Sequence, residues 1–187
     1  MSAPWRDMLP TSVEIGGTAY DIRSDYRAVL DICAALSDPA LDGQDKALAL
    51  LDIFYPGFSD MPPEHYEEAV QRCLWFINCG DEDNQRPAPK LVDWEQDFKY
   101  IVAPINRVTG MEVRAVEYLH WWTFVAAYYE MGDCTFAQIV RIRDQLRRGK
   151  SLDKSDREWY RQNRHLVDFK VNYTEADDDV VKMWTGQ

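Results

Sequence analysis

Three histidines and four cysteines are the residues from which this chain could build a metal centre or a nucleophile. A zinc hydrolase commonly needs two histidines one helical turn apart with an acid beside them. Here His65, His120 and His165 are widely separated, and no H-E-x-x-H occurs. Cys33, Cys73, Cys79 and Cys134 form no C-x-x-C, so reduced cytoplasmic thiols are the simplest reading. A nucleophilic thiol requires a cationic neighbour or a helix N-terminus to lower its pKa. Only Cys134, just before an expected helix, has such a position, and it reads better as a small buried or capping residue. His120, beside Trp121 and Trp122 in an apolar run, reads as a satisfied core residue. Asp81-Glu82-Asp83 has the start of a calcium loop without its glycine and closing glutamate. Neither a G-x-G-x-x-G nor a Walker sequence is present to cradle a phosphate. The expectation is a protein that is not an enzyme and uses no metal or cofactor.

Charge is the second resource. The 187 residues carry 21 Lys+Arg against 32 Asp+Glu, for a formal charge of −11. From Arg141 to Lys170 there are ten basic and five acidic residues, making this stretch +5 while the remainder totals −16. Affinity for nucleic acid depends on neutralising phosphates, so the overall balance excludes binding over most of the surface. Arg141, Arg143, Arg147 and Arg148, with Trp159 and Tyr160, could contact phosphates and stack on bases. The acidic remainder favours a protein-facing patch instead, because complementary charge also steers protein association. The end of the chain combines an acidic run with Val180, Val181, Met183 and Trp184. These are residue types that anchor in partner grooves, and they are equally compatible with a plain mobile acidic tail over 171–187.

The elements that would position these residues are mostly helical. Val13-Glu14-Ile15 and Ala19-Tyr20-Asp21-Ile22 alternate around Gly16-Gly17-Thr18 and predict a small β-hairpin. Ser24 is a candidate cap for a helix ending before Asp38-Pro39, and a second helix stops near Tyr55, ahead of Pro56-Gly57. A third starts at Asp60-Met61-Pro62-Pro63 and reaches Ile77. Residues 80–92 read as an exposed loop. Asp93 then caps a helix that Pro104 should kink or end and that Gly110 closes. Glu112 to Met131 is apolar almost all round after its first turn, which predicts a buried central helix. Its most apolar stretch, Tyr118 to Met131, is shorter than the roughly 18 apolar residues of a membrane span and contains His120 and Glu130. Helices over Thr135 to Arg148 and Ser155 to Val167, joined by a turn at Gly149 to Leu152, complete the expected architecture. The fold class is mainly α, a bundle of six to seven helices with an N-terminal β-hairpin, forming a single domain over 1–170. Met1 to Pro10 lacks the apolar core of a secretion signal.

Two segments carry a family resemblance. One is Leu9-Pro10-Thr11-Ser12-Val13-Glu14-Ile15-Gly16-Gly17, continuing through Tyr20 and Ile22 to Asp25-Tyr26-Arg27. The other is Asp93-Trp94-Glu95-Gln96-Asp97 with Tyr100-Ile101, followed by Glu117-Tyr118-Leu119-His120-Trp121-Trp122 and Phe124. Together with Tyr160-Arg161 in the basic stretch, they resemble the bacteriophage gene-product-fifteen family of long-tailed phages and prophages. The likeness spans about residues 9 to 169, departing at Pro104 and stopping before the acidic tail. It implies a helical, non-virion protein acting as a tail assembly chaperone on the tape-measure protein and the major tail (tube) protein. With the sequence reading above, the expectation is a host-cytoplasmic protein with no membrane and weak self-association. A structural virion component of the tail or its junction and a nucleic-acid-binding accessory protein are the alternatives.

Overall fold

A computed structural model describes residues 8–81 and 90–170. The described chain is mainly α, with eight α-helices and one two-stranded antiparallel hairpin. It groups into two compact units, Met1–Ala137 and Gln138–Gln187. The centre of the expected loop, 82–89, and the tail from 171 onward lie outside the described residues, as do Val180, Val181, Met183 and Trp184.

In the N-terminal unit, β1 (Ser12–Ile15) pairs with β2 (Thr18–Asp21), Val13 opposite Tyr20 and Ile15 opposite Thr18. Alternation buries Val13 and Ile15 and leaves Glu14 in solvent. Gly16 and Gly17 both have positive φ, as a two-residue hairpin turn requires. At Gly16 space also demands glycine, since a Cβ there would lie 2.4 Å from His65 Nε2.

Helix α1 (Tyr26–Ser37) is capped by Asp25, one residue later than Ser24, its carboxylate accepting from the Arg27 N–H. Helix α2 (Gly43–Phe54) starts at Asp42, which accepts from the Gln44 and Asp45 N–H groups. Two short 3-10 turns, Phe58–Asp60 and Pro63–His65, lead into α3 (Tyr66–Ile77). Helix α4 (Trp94–Thr109) has Asp93 as its cap and ends at Gly110 with φ 72°. Pro104 does not end this helix. It is buried beside Ile101 and Ile105, and core packing outweighs the N–H it withholds from the helical ladder. α1 packs on α2, α4 and α5 (Trp121–Tyr129), while α3 packs on α2 and β1. Tyr26, Phe54, Tyr55, Phe76, Phe124 and Phe136 are the large fully or almost fully buried rings. Burying each contributes about 1.5–3 kcal/mol relative to leaving it in water.

The expected helix over Glu112 to Met131 is half right. Only Trp121–Tyr129 is helical, and residues 111–120 are turns and irregular backbone. Apolar composition alone does not set a helix start. Here the backbone from 113 to 120 is claimed by side chains of α1, described below.

Helix α6 (Thr135–Arg147) runs across the division between the units. In the C-terminal unit a turn at Gly149, φ 64°, leads to α7 (Lys154–Gln162), capped by Asp153, and then to α8 (Arg164–Val167). The single helix expected over Ser155 to Val167 is broken at Asn163. Its side-chain amide donates to the Trp159 carbonyl at 3.0 Å, an interaction by which Asn competes with continued helix. Ile142, Leu152 and Val167 form the small core, with Trp159 and Tyr160 packed against it.

Candidate functional site

The two segments that carry the family likeness in the N-terminal unit meet in space. Asp25 Oδ2 accepts from the Leu119 N–H at 2.9 Å, and Arg27 bridges back to both oxygens of Asp25 at 3.1 Å. The same guanidinium donates to the Val113 and Val116 carbonyls at 3.2 and 2.7 Å. Backbone bonds from Tyr26 N to Leu119 O and from Trp121 N to Ser24 O close the join. Ser24 and Tyr118 share a hydroxyl–hydroxyl hydrogen bond of 2.8 Å. The chain over 113–121 is thus a strap whose polar backbone groups are satisfied by residues that lie far away in sequence. At its start, Arg114 and Asn106 hydrogen-bond Glu112 and hold its carboxyl down at about 2.

His120, Trp121 and Trp122 complete the brace. His120 Nδ1 accepts from the Trp122 N–H at 3.0 Å and so caps α5, which leaves Nε2 to donate to the Pro10 carbonyl at 3.0 Å. Both ring nitrogens are used in one neutral tautomer. The indole N–H groups of Trp121 and Trp122 donate to the Ile77 and Phe76 carbonyls at the C-terminal end of α3, each at 2.9 Å. Phe124 stacks on Tyr26 with 4.6 Å between ring centroids. His65 is similarly engaged, its Nδ1 2.8 Å from the Tyr20 hydroxyl.

Burial pushes the Cys33 thiol up to about 11 and raises Cys73 as well, with Cys33 adding to the latter. Burial also raises Cys79. These shifts favour the thiol over the reactive thiolate. Cys134 occupies the capping position before α6, its Sγ 3.4 Å from the Ala137 N–H.

The four arginines named from sequence have different surroundings. Arg143 is buried, donating to the Val167 and Leu166 carbonyls at 2.7 and 3.0 Å and lying over the Phe169 ring at 4.1 Å. Arg141 makes two bonds to the buried carboxylate of Asp156. Arg148 pairs with Asp144 at 2.8 Å, and Arg147 is exposed. Arg143 therefore fastens α6 to α8, and the exposed cationic surface is supplied by others, including Lys150 and Lys154 around the turn.

A concave feature that the sequence reading missed lies beside the strap. An open groove of about 580 Å³ is lined by Ile22, Arg23, Ala28, Asp31, Asp52, Ile53 and Tyr118, with Ser24 and Asp25. Arg23 is committed at its rim, donating to the Asp52 and Ile53 carbonyls at 2.6 and 2.7 Å. A sequence signal for the groove did exist. Asp52 falls in the last turn of α2, where the helix dipole disfavours an acid.

The class defined by this fold and site is a mainly α protein with an N-terminal β-hairpin, whose motif residues satisfy one another's backbone beside an amphipathic groove. Within that class the chain belongs to the Bacteriophage Gp15 protein family, whose family model matches residues 5–169. It is a phage protein. No curated protein and no solved structure matches it.

Proposed function

We propose that this chain is a non-catalytic tail assembly chaperone that works in the host cytoplasm, binding the tape-measure protein and the tail-tube protein during tail morphogenesis. Family membership carries the reading, since it makes this a phage protein. The surface supports the step from phage protein to chaperone. Leu48, Val108, Met111, Tyr118 and Tyr129 are large apolar side chains exposed to solvent in the N-terminal unit, the kind of contact an amphipathic client helix uses. The charge contrast between the stretch from Arg141 to Lys170 and the remainder gives a second, electrostatically distinct face. No helix among the described residues is long and apolar enough to cross a membrane.

The test is co-expression with the tape-measure protein and the tail-tube protein encoded beside it, followed by pull-down and sizing. A soluble complex containing the tape measure, and absence of this chain from purified particles by mass spectrometry, are the expected results. A tape measure that stays insoluble and uncaptured, or stoichiometric amounts of this chain in the virion, would overturn the reading.

A further inference from the structure

We infer that the groove beside the strap receives the Lys150–Lys154 turn of a second copy of this chain. The groove has an apolar lining in Ile22, Ala28 and Ile53, with half-exposed Tyr118 along one side. Three carboxylates, those of Asp25, Asp31 and Asp52, face it against the single guanidinium of Arg23. Asp25 is already paired with Arg27, and Arg23 is tied to two carbonyls. Asp31 and Asp52 are exposed and have no ion-pair partner among the described residues.

The matching cations are in the C-terminal unit. Lys150 and Lys154 are exposed on either side of the short turn after α6, and neither is paired among the described residues. Most nearby charges, by contrast, are spent locally: Arg141 on Asp156, Arg148 on Asp144, Arg161 on Glu158 and Arg164 on Asp168. Placement adds an argument beyond charge sign. Lys154 is the first residue of α7, where the helix dipole disfavours a cation, and Asp52 lies in the last turn of α2, where it disfavours an anion. Each is unfavourable for its own helix, and bringing the two together relieves both. Functional and strained positions are where local rules are broken in this way. Lysine stems can lie on the apolar lining and on the Tyr118 ring while their ammonium groups reach Asp31 and Asp52. Every copy carries both halves, so the contact closes reciprocally in a dimer or runs on into a chain.

The inference stands apart from the client-binding reading, because self-association is measured on the purified full chain alone. Sedimentation velocity at low and high salt is the experiment, with D31K/D52K, K150E/K154E, an equimolar mixture of these two, and the quadruple variant. The wild type should self-associate reversibly and lose this in high salt, since the ion pairs are exposed. Each double variant should weaken association tenfold or more. The mixture and the quadruple variant, whose charges are complementary again, should regain it. D31K/D52K also makes this acidic chain less negative, so generic charge repulsion predicts stronger association for that variant, the opposite result. Association that is unchanged in both double variants, a monomeric wild type at low salt, or failure of the quadruple variant to recover while its circular dichroism stays native would each overturn the proposal.

Discussion

The two units of this chain solve the same problem with different materials. The N-terminal unit buries Tyr26, Phe54, Tyr55, Phe76 and Phe124 and, beside the Asp25–Arg27 brace, joins its elements through neutral hydrogen bonds in which His120 Nε2 and the Trp121 and Trp122 indoles donate to backbone carbonyls. The C-terminal unit has a core of Ile142, Leu152 and Val167, and buries two charged side chains, Arg143 and Asp156, to tie α6 to α7 and α8. Large rings supply non-directional stability. A small helical unit lacks that area, so directional charge-assisted bonds must take a larger share. The largest losses in the first unit should therefore come from cavities, and those in the second from unpaired charge.

The largest effect is expected in the ring stack. Phe124 is fully buried between Tyr26 and Trp121, and Phe124→Ala removes a ring from the centre of the aromatic core. The cost should be about 4 kcal/mol, read from urea unfolding. A cost below about 1 kcal/mol would show that the stack is not the main support of this unit.

Next in size are two carboxylates, one per unit. Asp156→Ala strips Arg141 of both its bonds to a buried acceptor, and should cost about 2 kcal/mol, less than a fully buried pair because Arg141 is 50% exposed. Asp25→Ala should cost a similar ~2 kcal/mol by removing a helix cap, the Arg27 pair and the acceptor for Leu119. Hydrogen exchange separates them. Faster exchange should be confined to 138–170 in the first variant and centred on 113–121 in the second. Uniform loss of protection along the whole chain in both would erase the contrast between the units.

Those two carboxylates also show what the sequence could and could not reveal. Helix periodicity located α1 to α4 and α6 because their apolar faces repeat locally, and Gly16-Gly17 marked the hairpin because only a positive φ closes it. The strap was hidden because its determinants are nonlocal. Arg27 and Asp25 hold Val113, Val116 and Leu119 across 86 to 94 residues of sequence, and no window of composition contains that information. The apolar run around His120 was visible, but its imidazole starts α5 where periodicity expected mid-helix. Among the arginines, sequence identified the charge excess. It could not show that Arg143 turns inward while Lys150 and Lys154 face solvent.

A smaller effect concerns acid. Burial opposes ionisation of Asp93, yet the Gln96 N–H and the Lys90 ammonium outweigh it and hold the carboxyl below the usual carboxylate range. A carboxyl whose pKa is lower folded than unfolded stabilises the fold above the unfolded value, about 3.9, and loses that contribution as pH falls through the native value. Asp93→Asn keeps the capping oxygen, so it should flatten this part of the stability profile below about pH 4 and cost only about 0.5 kcal/mol at neutrality, from the lost charge toward Lys90 and the helix dipole. An unchanged acid limb in the variant would assign the pH response to other carboxylates.

The smallest effect should be a gain, at the end of α3 that the two indoles cover. Cys79 has φ 57°, and its N–H bonds the Phe76 carbonyl while the Gly80 N–H bonds that of Trp75. This pair of bonds ends the helix with a left-handed residue, the position where glycine is usual because a Cβ crowds the backbone there. A cysteine at that position is strained, and the neighbouring Trp122 and Trp75 rings, within 3.3 and 3.6 Å of a Cβ on Gly80, keep the next residue small. Cys79→Gly should relieve the strain at the cost of one partly buried thiol, for a net gain of about 0.5 kcal/mol in urea unfolding. A loss instead would show that the thiol's packing outweighs backbone strain. The first unit would then depend on side-chain burial even at its helix ends, where the second depends on hydrogen bonds.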